Sequence, residues 1–375
     1  MKRVHIALVG GQPVPVYVGI RDDVEVREVV LVCSPQSREE GERIRRQFPN
    51  HTIRMEECSP VNLSEIEELA QRLGGEFTGC EVTLNLTSGT KLWSLSFFRV
   101  FSQISSSRFI YVDQTNTITD ILTKDTHIGE IAHITRFELY GTPLTSYTPL
   151  SDYDEDDAEV MGKVERLRNF NRSEFAQLTG NFSMELLQND EMIPMTRNGS
   201  CIEYDWDANR VDITLTSYSG GYRKSVTLES PHVFDIVFNS GWFEYKVARE
   251  LRQISMVGDV WLNCEFADTE GNPKNEIDII ADLGNRLLFV ECKTMIKDTT
   301  DIDKFRSALR NFSGTSTTGL FVTNDKPRQQ YSHAMEKCKD NGILTFNYAL
   351  WREAPLRSPS LAEIIKNQLF TQHKR

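Results

Sequence analysis

Glu276-Ile-Asp-Ile-Ile-Ala-Asp-Leu-Gly-Asn-Arg-Leu-Leu-Phe-Val-Glu-Cys-Lys293 is the stretch on which the reading of this chain turns. Gly284-Asn285 is a two-residue turn signal between two apolar runs and predicts a β-hairpin. With the turn centred there, Asp278 faces Glu291 across the strands and Glu276 faces Lys293. Side chains alternate along a strand, so all four project from one face, while Ile277, Ile279 and Cys292 point to the other and into the core. Three carboxylates and one ammonium at cross-strand distance make a poor structural surface and a good cage for a hard divalent cation. The plain alternative is a set of salt bridges, Glu276–Lys293 and its neighbours, with no chemistry attached.

Upstream, Ser230-Pro231 reads as a helix cap and first position, and apolar residues recur through Leu251, with Gly241 as the place where a break is expected if there is one. At 3.6 residues per turn, Val233, Val237, Glu244, Ala248 and Leu251 share a stripe. Glu244 therefore falls on the face that packs on the sheet. A carboxylate there is costly unless a metal ion or the Lys293 ammonium compensates it. Strands at 257–266, 275–282 and 286–292, a helix over Asp301–Phe312, a strand over Thr318–Thr323 and a helix over Pro327–Asp340 follow. The order is αβββαβ. Lys304, on the first of these later helices, reads as an exposed lysine before it reads as a phosphate ligand.

The first 125 residues alternate buried-strand runs with helical patterns. The strands are Val4–Val9, Glu28–Cys33, Thr52–Met55, Glu81–Leu86 and Arg108–Val112. The helices are Arg38–Phe48, Ser64–Leu73 (capped by Ser64 and Glu67, stopped by Gly74-Gly75) and Thr90–Ile104. Ile118–Leu122 adds an antiparallel edge strand. This predicts a doubly wound α/β domain whose ligands lie beyond the carboxyl ends of its strands. There Asn85-Leu-Thr-Ser-Gly-Thr-Lys91 brings together hydroxyls, a glycine, helix N-terminal amides and a lysine, as an anion site requires and as an ordinary capped turn also does. The spacing is not that of a Walker A loop, and Gly10-Gly11-Gln12-Pro13 supplies no GxGxxG, which disfavours a dinucleotide. Residues 127–150 read as extended, and the acidic run Asp152–Glu159 as a solvated linker and helix start. Helices near 156–170 and 173–179, a hairpin of Cys201–Trp206 with Arg210–Thr216, and a third strand near 222–228 fill the middle.

The chain has 375 residues, a formal charge of −12 and 39% hydrophobic content, enough for two or three domains with their own cores. Residues 1–150 hold 15 basic against 19 acidic side chains, 151–159 add six acids, and 160–375 hold 27 against 29. Coating of nucleic acid by charge alone is therefore excluded, whereas a local basic groove is not. Lys326, Arg328, Lys337 and Lys339 could form one basic helix face. No apolar run reaches the ~20 residues that span a bilayer. Met1-Lys2-Arg3 before Val4–Gly11 reads as a first strand rather than a signal peptide. Seven scattered cysteines without a CxxC pair read as reduced cytoplasmic thiols, with neither a zinc site nor a disulfide framework.

A helical Glu, then Asp, then Glu-x-Lys on adjacent strands resembles the PD-(D/E)xK nuclease family over roughly 230–325. That resemblance implies that Asp278 and Glu291 bind Mn²⁺ or Mg²⁺, that Glu244 binds the metal directly or through water, and that Lys293 orients or activates the attacking water. Asn275-Glu276 stands where the family has its proline. The N-terminal domain resembles CARF domains, the cyclic-oligoadenylate sensors of type III CRISPR defence, over about 1–135. The whole chain is similar to their single-CARF, PD-(D/E)xK effectors, which are cyclic tetra-adenylate-activated nucleases. The fold implied is α/β: an N-terminal Rossmann-like CARF domain (1–140), a connecting segment of helices and hairpin (141–229), and a C-terminal restriction-endonuclease-like αβββαβ domain (230–375). Carried over, Thr87, Ser88, Gly89, Thr90 and Lys91 contact phosphate and ribose. Gly11 and Gln12 after the first strand, and Ser34 and Gln36 after the second, line the same pocket, with Asp113 and Gln114 as further candidates. A two-fold symmetric ring implies a homodimer with one ring across its axis. The implied substrates are single-stranded RNA and DNA, with nicking of duplex DNA beside them.

Two other readings compete. CARF proteins are also fused to metal-independent HEPN ribonucleases, which use Arg-x4-6-His; Arg328 to His333 and Arg46 to His51 fit that spacing, a match expected about once by chance here. The second is a nucleotide-sensing regulator that binds nucleic acid or a partner without cleaving anything.

Overall fold

The central strands of the N-terminal half are largely apolar because the sheet they form is covered on both faces. The computed structural model describes residues 1–113, 115–180, 195–267, 271–283, 286–296, 299–311, 317–326, 329–356 and 358–372. Strand β1 (Arg3–Val9) buries six of seven residues, β2 (Glu28–Cys33) five of six and β4 (Glu81–Asn85) four of five. With β3 (Thr52–Glu57), β5 (Ser107–Val112), β6 (Thr117–Asp120) and β7 (Thr126–Ile128) they make a seven-stranded sheet of order β3-β2-β1-β4-β5-β6-β7. Strands β1 to β5 pair in parallel, whereas β6 and β7 run antiparallel. Chain order reverses between β1 and β4, which makes the carboxyl ends of these two strands the switch point where ligands bind in doubly wound sheets.

Alternation along β1 assigns its side chains to two cores. Val4, Ile6 and Leu8 meet Ile66, Leu69 and Leu73 of α3 (Leu63–Glu76) and Trp93, Phe97 and Phe101 of α4 (Lys91–Phe101). Ala7 and Val9 meet Val14, Tyr17 and Val18 of α1 (Pro13–Asp22), Ile44 of α2 (Arg38–Arg46) and Leu139 of α5 (His133–Leu139). Helix α1 occupies the Pro- and Val-rich connection after β1, to which the sequence assigns no element. Pro13 stands in its first turn, where no amide hydrogen is required, and Pro13–Ile20 is buried throughout. Two further expectations are corrected at α3. Its N-cap is Asn62 rather than Ser64, and it runs through Gly74-Gly75 instead of stopping. Gly74 is there for packing, since a β-carbon would lie 2.9 Å from Val100 Cγ1 on α4.

Two compact units divide the chain. The first holds 1–145 with 266–275 and 310–317, the second 146–265, 276–309 and 318–375. In the second, β8 (Leu144–Pro149) edges a six-stranded sheet of order β16-β15-β14-β13-β12-β8. Its other strands are β12 (Val260–Ala267), β13 (Pro273–Asp282), β14 (Leu287–Lys293), β15 (Thr317–Thr323) and β16 (Leu344–Asn347). Helices α6 (Glu155–Phe170) and α7 (Arg172–Thr179) and the sheet of β9 (Cys201–Asp205), β10 (Arg210–Thr216) and β11 (Arg223–Glu229) share one core with α8 (Val233–Val237) and α9 (Gly241–Arg252). Asp154 caps α6 in a reciprocal box with Asp157, so the acidic run is a helix start. The expected break near Gly241 is present: Asn239 and Ser240 adopt φ of 50° and 75° between α8 and α9. The Ser230-Pro231 cap is not; α8 starts at Val233, with His232 before it. Helices α10 (Thr300–Asn311), α11 (Gln329–Asp340), α12 (Tyr348–Glu353) and α13 (Leu361–Gln372) complete the unit.

At the switch point β1 and β4 leave no room for side chains. A β-carbon on Gly10 would stand 1.9 Å from the Ser88 carbonyl oxygen, whereas one on Gly11 would meet open space. Gly10→Ala is expected to cost about 1–3 kcal/mol in denaturant unfolding of the protein. Gly11→Ala should leave the midpoint within about 0.5 kcal/mol of the parent.

Candidate active site and anion-binding loops

The hairpin of β13 and β14 forms in the register its turn predicts. Ile279 pairs with Val290, Ile280 with Phe289, Ala281 with Leu288 and Asp282 with Leu287. The Leu283 amide closes the loop by donating to the Arg286 carbonyl at 2.8 Å; Gly284 and Asn285 themselves lie outside the described residues. Ile277, Ile279 and Cys292 are buried. On the other face, the Lys293 ammonium lies 2.6 Å from Glu291 Oε1 and 4.0 Å from Asp278 Oδ2. The Cys292 amide donates to Asp278 Oδ2 at 2.6 Å, so the aspartate is held by the backbone of the strand it faces. Lys293 thus pairs with Glu291, two residues along its own strand, rather than with the exposed Glu276 expected opposite it.

Glu244 enters this cluster from the first turn of α9, whose start is tied to the residue after Lys293 by a 3.3 Å contact between the Ser240 and Thr294 hydroxyls. Burial, and then repulsion from Asp278, push the Glu244 carboxyl well above its ordinary range. Burial likewise raises Asp278. It lifts Glu291, with help from Asp278, to about 8. Burial pulls the Lys293 ammonium down, but Asp278 and Glu291 outweigh it and the net shift is upward. Three crowded carboxyls facing one ammonium form a donor set of hard oxygens whose mutual repulsion a divalent cation would relieve. As they stand, no three carboxylate, imidazole or thiolate groups among the described residues converge closely enough to hold an ion. Lys293 occupies Glu291, and the Cys292 amide occupies Asp278.

In the N-terminal unit the loops after β1 and β4 are tied together. Ser88 Oγ donates to the Gln12 carbonyl at 2.8 Å and accepts from the Gly10 amide at 3.3 Å. Several of the expected ligand hydroxyls shape the loops. Thr87 Oγ1 donates to Asn85 Oδ1 at 2.6 Å and accepts from the Val112 amide at 2.8 Å. Thr90 caps α4 by accepting from the Trp93 amide, and Ser34 accepts from the Ser37 amide in a reciprocal cap. A β-carbon on Gly89 would lie 2.6 Å from Leu8 Cβ. Gly11, Gln12, Gln36 and Lys91 are exposed around this frame. Asp113 Oδ1 is taken up by the amides of Thr115 and Thr117; Gln114 lies outside the described residues.

The other basic candidates are not gathered. Lys337 binds Asp303 and the Thr299 carbonyl, Lys304 is exposed, and Arg328 lies outside the described residues. His333 is exposed on α11, and Arg46 is exposed on α2. All seven cysteines are free. No helix among the described residues is long and apolar enough to cross a membrane. The sequence reading does not include a set of arginines, 168, 172 and 352, near the end of β14; the first two are four residues apart, but nothing in the spacing marks Arg352 as their neighbour.

A doubly wound sheet with its loops pinned at the switch point, followed by a hairpin bearing Asp and Glu-x-Lys beside a helical Glu, defines a nucleotide-sensing domain class joined to a nuclease class. Residues 4–137 match the family model of the Card1 CARF domain, and residues 235–340 match that of the Card1-like endonuclease domain. The chain therefore joins a CARF domain of the Card1 type to a Card1-like endonuclease domain. Among solved structures it is similar to Can2 from Sulfobacillus thermosulfidooxidans in complex with cyclic tetra-adenylate: 19% identity, TM-score 0.65, 94% of this chain and 98% of that one. It is also similar to protein VC1899 from Vibrio cholerae: 14% identity, TM-score 0.70, 92% and 94% covered. A type III CRISPR defence DNA nuclease activated by cyclic oligoadenylate matches at 15% identity and TM-score 0.55, over 97% of this chain and 53% of the other. At these identities the likeness is one of fold. No curated protein matches the chain.

The raised Glu291 carboxyl has a sign that can be measured. Below pH 4.5 it is protonated folded or unfolded; between 4.5 and about 8 only the folded state keeps the proton, so stability falls as pH rises across that window. In chelator, Glu291→Gln should melt a few degrees above the parent at pH 8, with the gap closing toward pH 4.5. Calorimetric scans at the two pH values check this, and added Mn²⁺ should stabilise the parent more than the variant.

Proposed function

We propose that this chain is a cyclic tetra-adenylate-activated, metal-dependent endonuclease that hydrolyses phosphodiester bonds of single-stranded RNA and DNA, and nicks duplex DNA, in type III CRISPR defence. The observation that carries the reading is the gathering of Asp278, Glu291, Lys293 and Glu244 in one part-buried cluster inside the endonuclease-domain match. Asp278 and Glu291, with Glu244, would hold Mn²⁺ or Mg²⁺. Such an ion supplies a hydroxide-like nucleophile at neutral pH and charge stabilisation at the phosphoryl oxygens. The chain's own groups do the rest. Lys293 sets a positive charge beside the phosphate and orients the attacking water, and the Cys292 amide holds the Asp278 carboxylate in place.

The activating site is the cleft at the ends of β1, β2 and β4. Gly11, Gln12, Gln36 and Lys91 would approach phosphate and ribose from exposed positions. Ser34, Thr87, Ser88, Gly89 and Thr90 shape the cleft and supply the hydroxyls and amides nearest it. The bound cyclic tetra-adenylate in the Can2 structure supports this choice of ligand. A two-fold symmetric ring fits a homodimer that offers the same patch twice. The working division is a sensor at 1–140, a connecting segment at 141–229 and a nuclease at 230–375, in a cytoplasmic protein.

A catalytically silent regulator is the second reading, favoured by the direct Glu291–Lys293 pair. The two separate cleanly. With labelled RNA and DNA, cleavage should require both cyclic tetra-adenylate and Mn²⁺ or Mg²⁺, and Asp278→Ala or Glu291→Ala should lower it by about 100-fold or more. Lys91→Ala should raise the activator concentration needed for half-maximal rate about tenfold while leaving the maximal rate unchanged. Full ribonuclease activity in chelator would point to His333 instead. Absence of Mn²⁺ binding in calorimetry of the parent protein would favour the silent regulator.

A further inference from the structure

Beside the carboxylate cluster, the second unit gathers a surplus of the opposite charge. Arg168, on α6, is only 9% exposed, and its guanidinium lies 4.9 Å from the centroid of the buried Trp242 ring. Arg172, the first residue of α7, is half-buried and donates to the Thr294 carbonyl at 3.1 Å, immediately after Lys293. Arg352, on α12, has a side chain 46% exposed and donates to Asn324 Oδ1. Asn324 in turn gives its amide to the Lys293 carbonyl at 3.2 Å. Two of the arginines are four residues apart at the junction of α6 and α7, the third comes from a distant part of the chain, and they meet near the carboxyl end of β14.

Their charges are balanced only in part: Arg352 lies 3.7 Å from Glu165 Oε1. Burial, Arg172 and Arg352 together pull the Arg168 guanidinium down to about 10. Glu165 and Asp325 offset part of this, but Glu165 is shared between Lys246 at 2.9 Å and Arg352 at 3.7 Å, and Asp325 Oδ2 accepts from the Ile296 amide. Among the described residues Arg168 meets the face of Trp242 and no hydrogen-bond acceptor. A largely buried arginine whose guanidinium stacks on an indole, with two more guanidiniums leading out to solvent, is suited to an oxyanion that bridges them. Structural arginines at this depth ordinarily close on a carboxylate.

The geometry points to a phosphate-binding subsite: Arg168, Arg172 and Arg352 hold a backbone phosphate of the nucleic acid next to the one that is cut. The inference rests on the nuclease reading for its ligand, and it names the part of the substrate that the carboxylate cluster repels and therefore cannot hold alone. The lining runs from buried to exposed, Arg168 to Arg352, so a strand can enter from the solvent side and place one phosphate against Trp242-backed Arg168.

Binding is the readout that separates this subsite from catalysis. Anisotropy of a fluorescein-labelled oligothymidylate is followed against salt, with cyclic tetra-adenylate present, in Glu291→Gln protein carrying Arg168→Gln or Arg172→Gln. Each variant should bind about tenfold more weakly, and the slope of log K against log salt should be shallower by about 0.7 for each phosphate that no longer meets a guanidinium. In protein with Glu291 intact, KM should rise while kcat changes little. Should Arg168→Gln fail to fold, the half-buried Arg172→Gln decides. Unchanged affinity and slope in a folded variant overturn the subsite, as does a parent protein that binds no oligonucleotide. Arginine-dependent binding by a parent that never cleaves would uphold the subsite and sink the nuclease reading; cleavage with arginine-independent binding would do the reverse.

Discussion

The register of one hairpin governs the second unit. Because strand side chains alternate, a slip of one residue between β13 and β14 would put Asp278 and Glu291 on opposite faces and bury one of them. The observed pairing, Ile279 with Val290 through Asp282 with Leu287, prevents that. Its effects spread by direct bonds: Asp278 is held by the Cys292 amide, Thr294 meets Ser240 at the start of α9, and the Lys293 carbonyl accepts from Asn324. The apolar face of a hairpin thus determines where the polar face presents its charges.

Around the end of β14 the protein keeps two charge excesses apart. On one side are carboxyls whose protons are held tightly by burial and mutual repulsion; on the other is Arg168, whose charge is penalised by burial and by the neighbouring Arg172 and Arg352. Neither excess stabilises the fold. Each would become favourable with its counter-charge in place, a cation for the acids and, in the proposed subsite, a phosphate for the guanidiniums. The N-terminal unit works differently. There hydroxyls and glycines are consumed in bringing two loops together, as in the Ser88 bonds to Gly10 and Gln12, and the exposed Gly11, Gln12, Gln36 and Lys91 are left around them.

Much of this was legible in the linear chain. The parallel strands announced themselves as apolar runs, and Gly284-Asn285 announced the hairpin, because both signals are local. The failures share a cause as well. Helix α1 was not legible because burial on all sides leaves no polar face for a helical period to mark, and its two prolines stand in the first turn, where they are tolerated. The helix through Gly74-Gly75 continues because α4 lies against it, which no local rule could supply. Glu244 was placed correctly near the acids although the helix counted through breaks at Asn239 and Ser240, since the stripe within α9 alone suffices.

By itself the amino-acid order determined which residues lie in strands, which face of the hairpin carries Asp278, Glu291 and Lys293, and that the loops after β1 and β4 hold the polar, glycine-bearing ends of a doubly wound sheet. These follow from alternation and turn chemistry, which act over a few residues. Only the tertiary structure decided that Lys293 pairs with Glu291 rather than Glu276, that Ser88 spans two loops, and that Arg168, Arg172 and Arg352 converge beside β14. Those outcomes depend on distances between segments far apart in the chain, and burial then sets the electrostatic cost of each group, which no spacing along a sequence encodes.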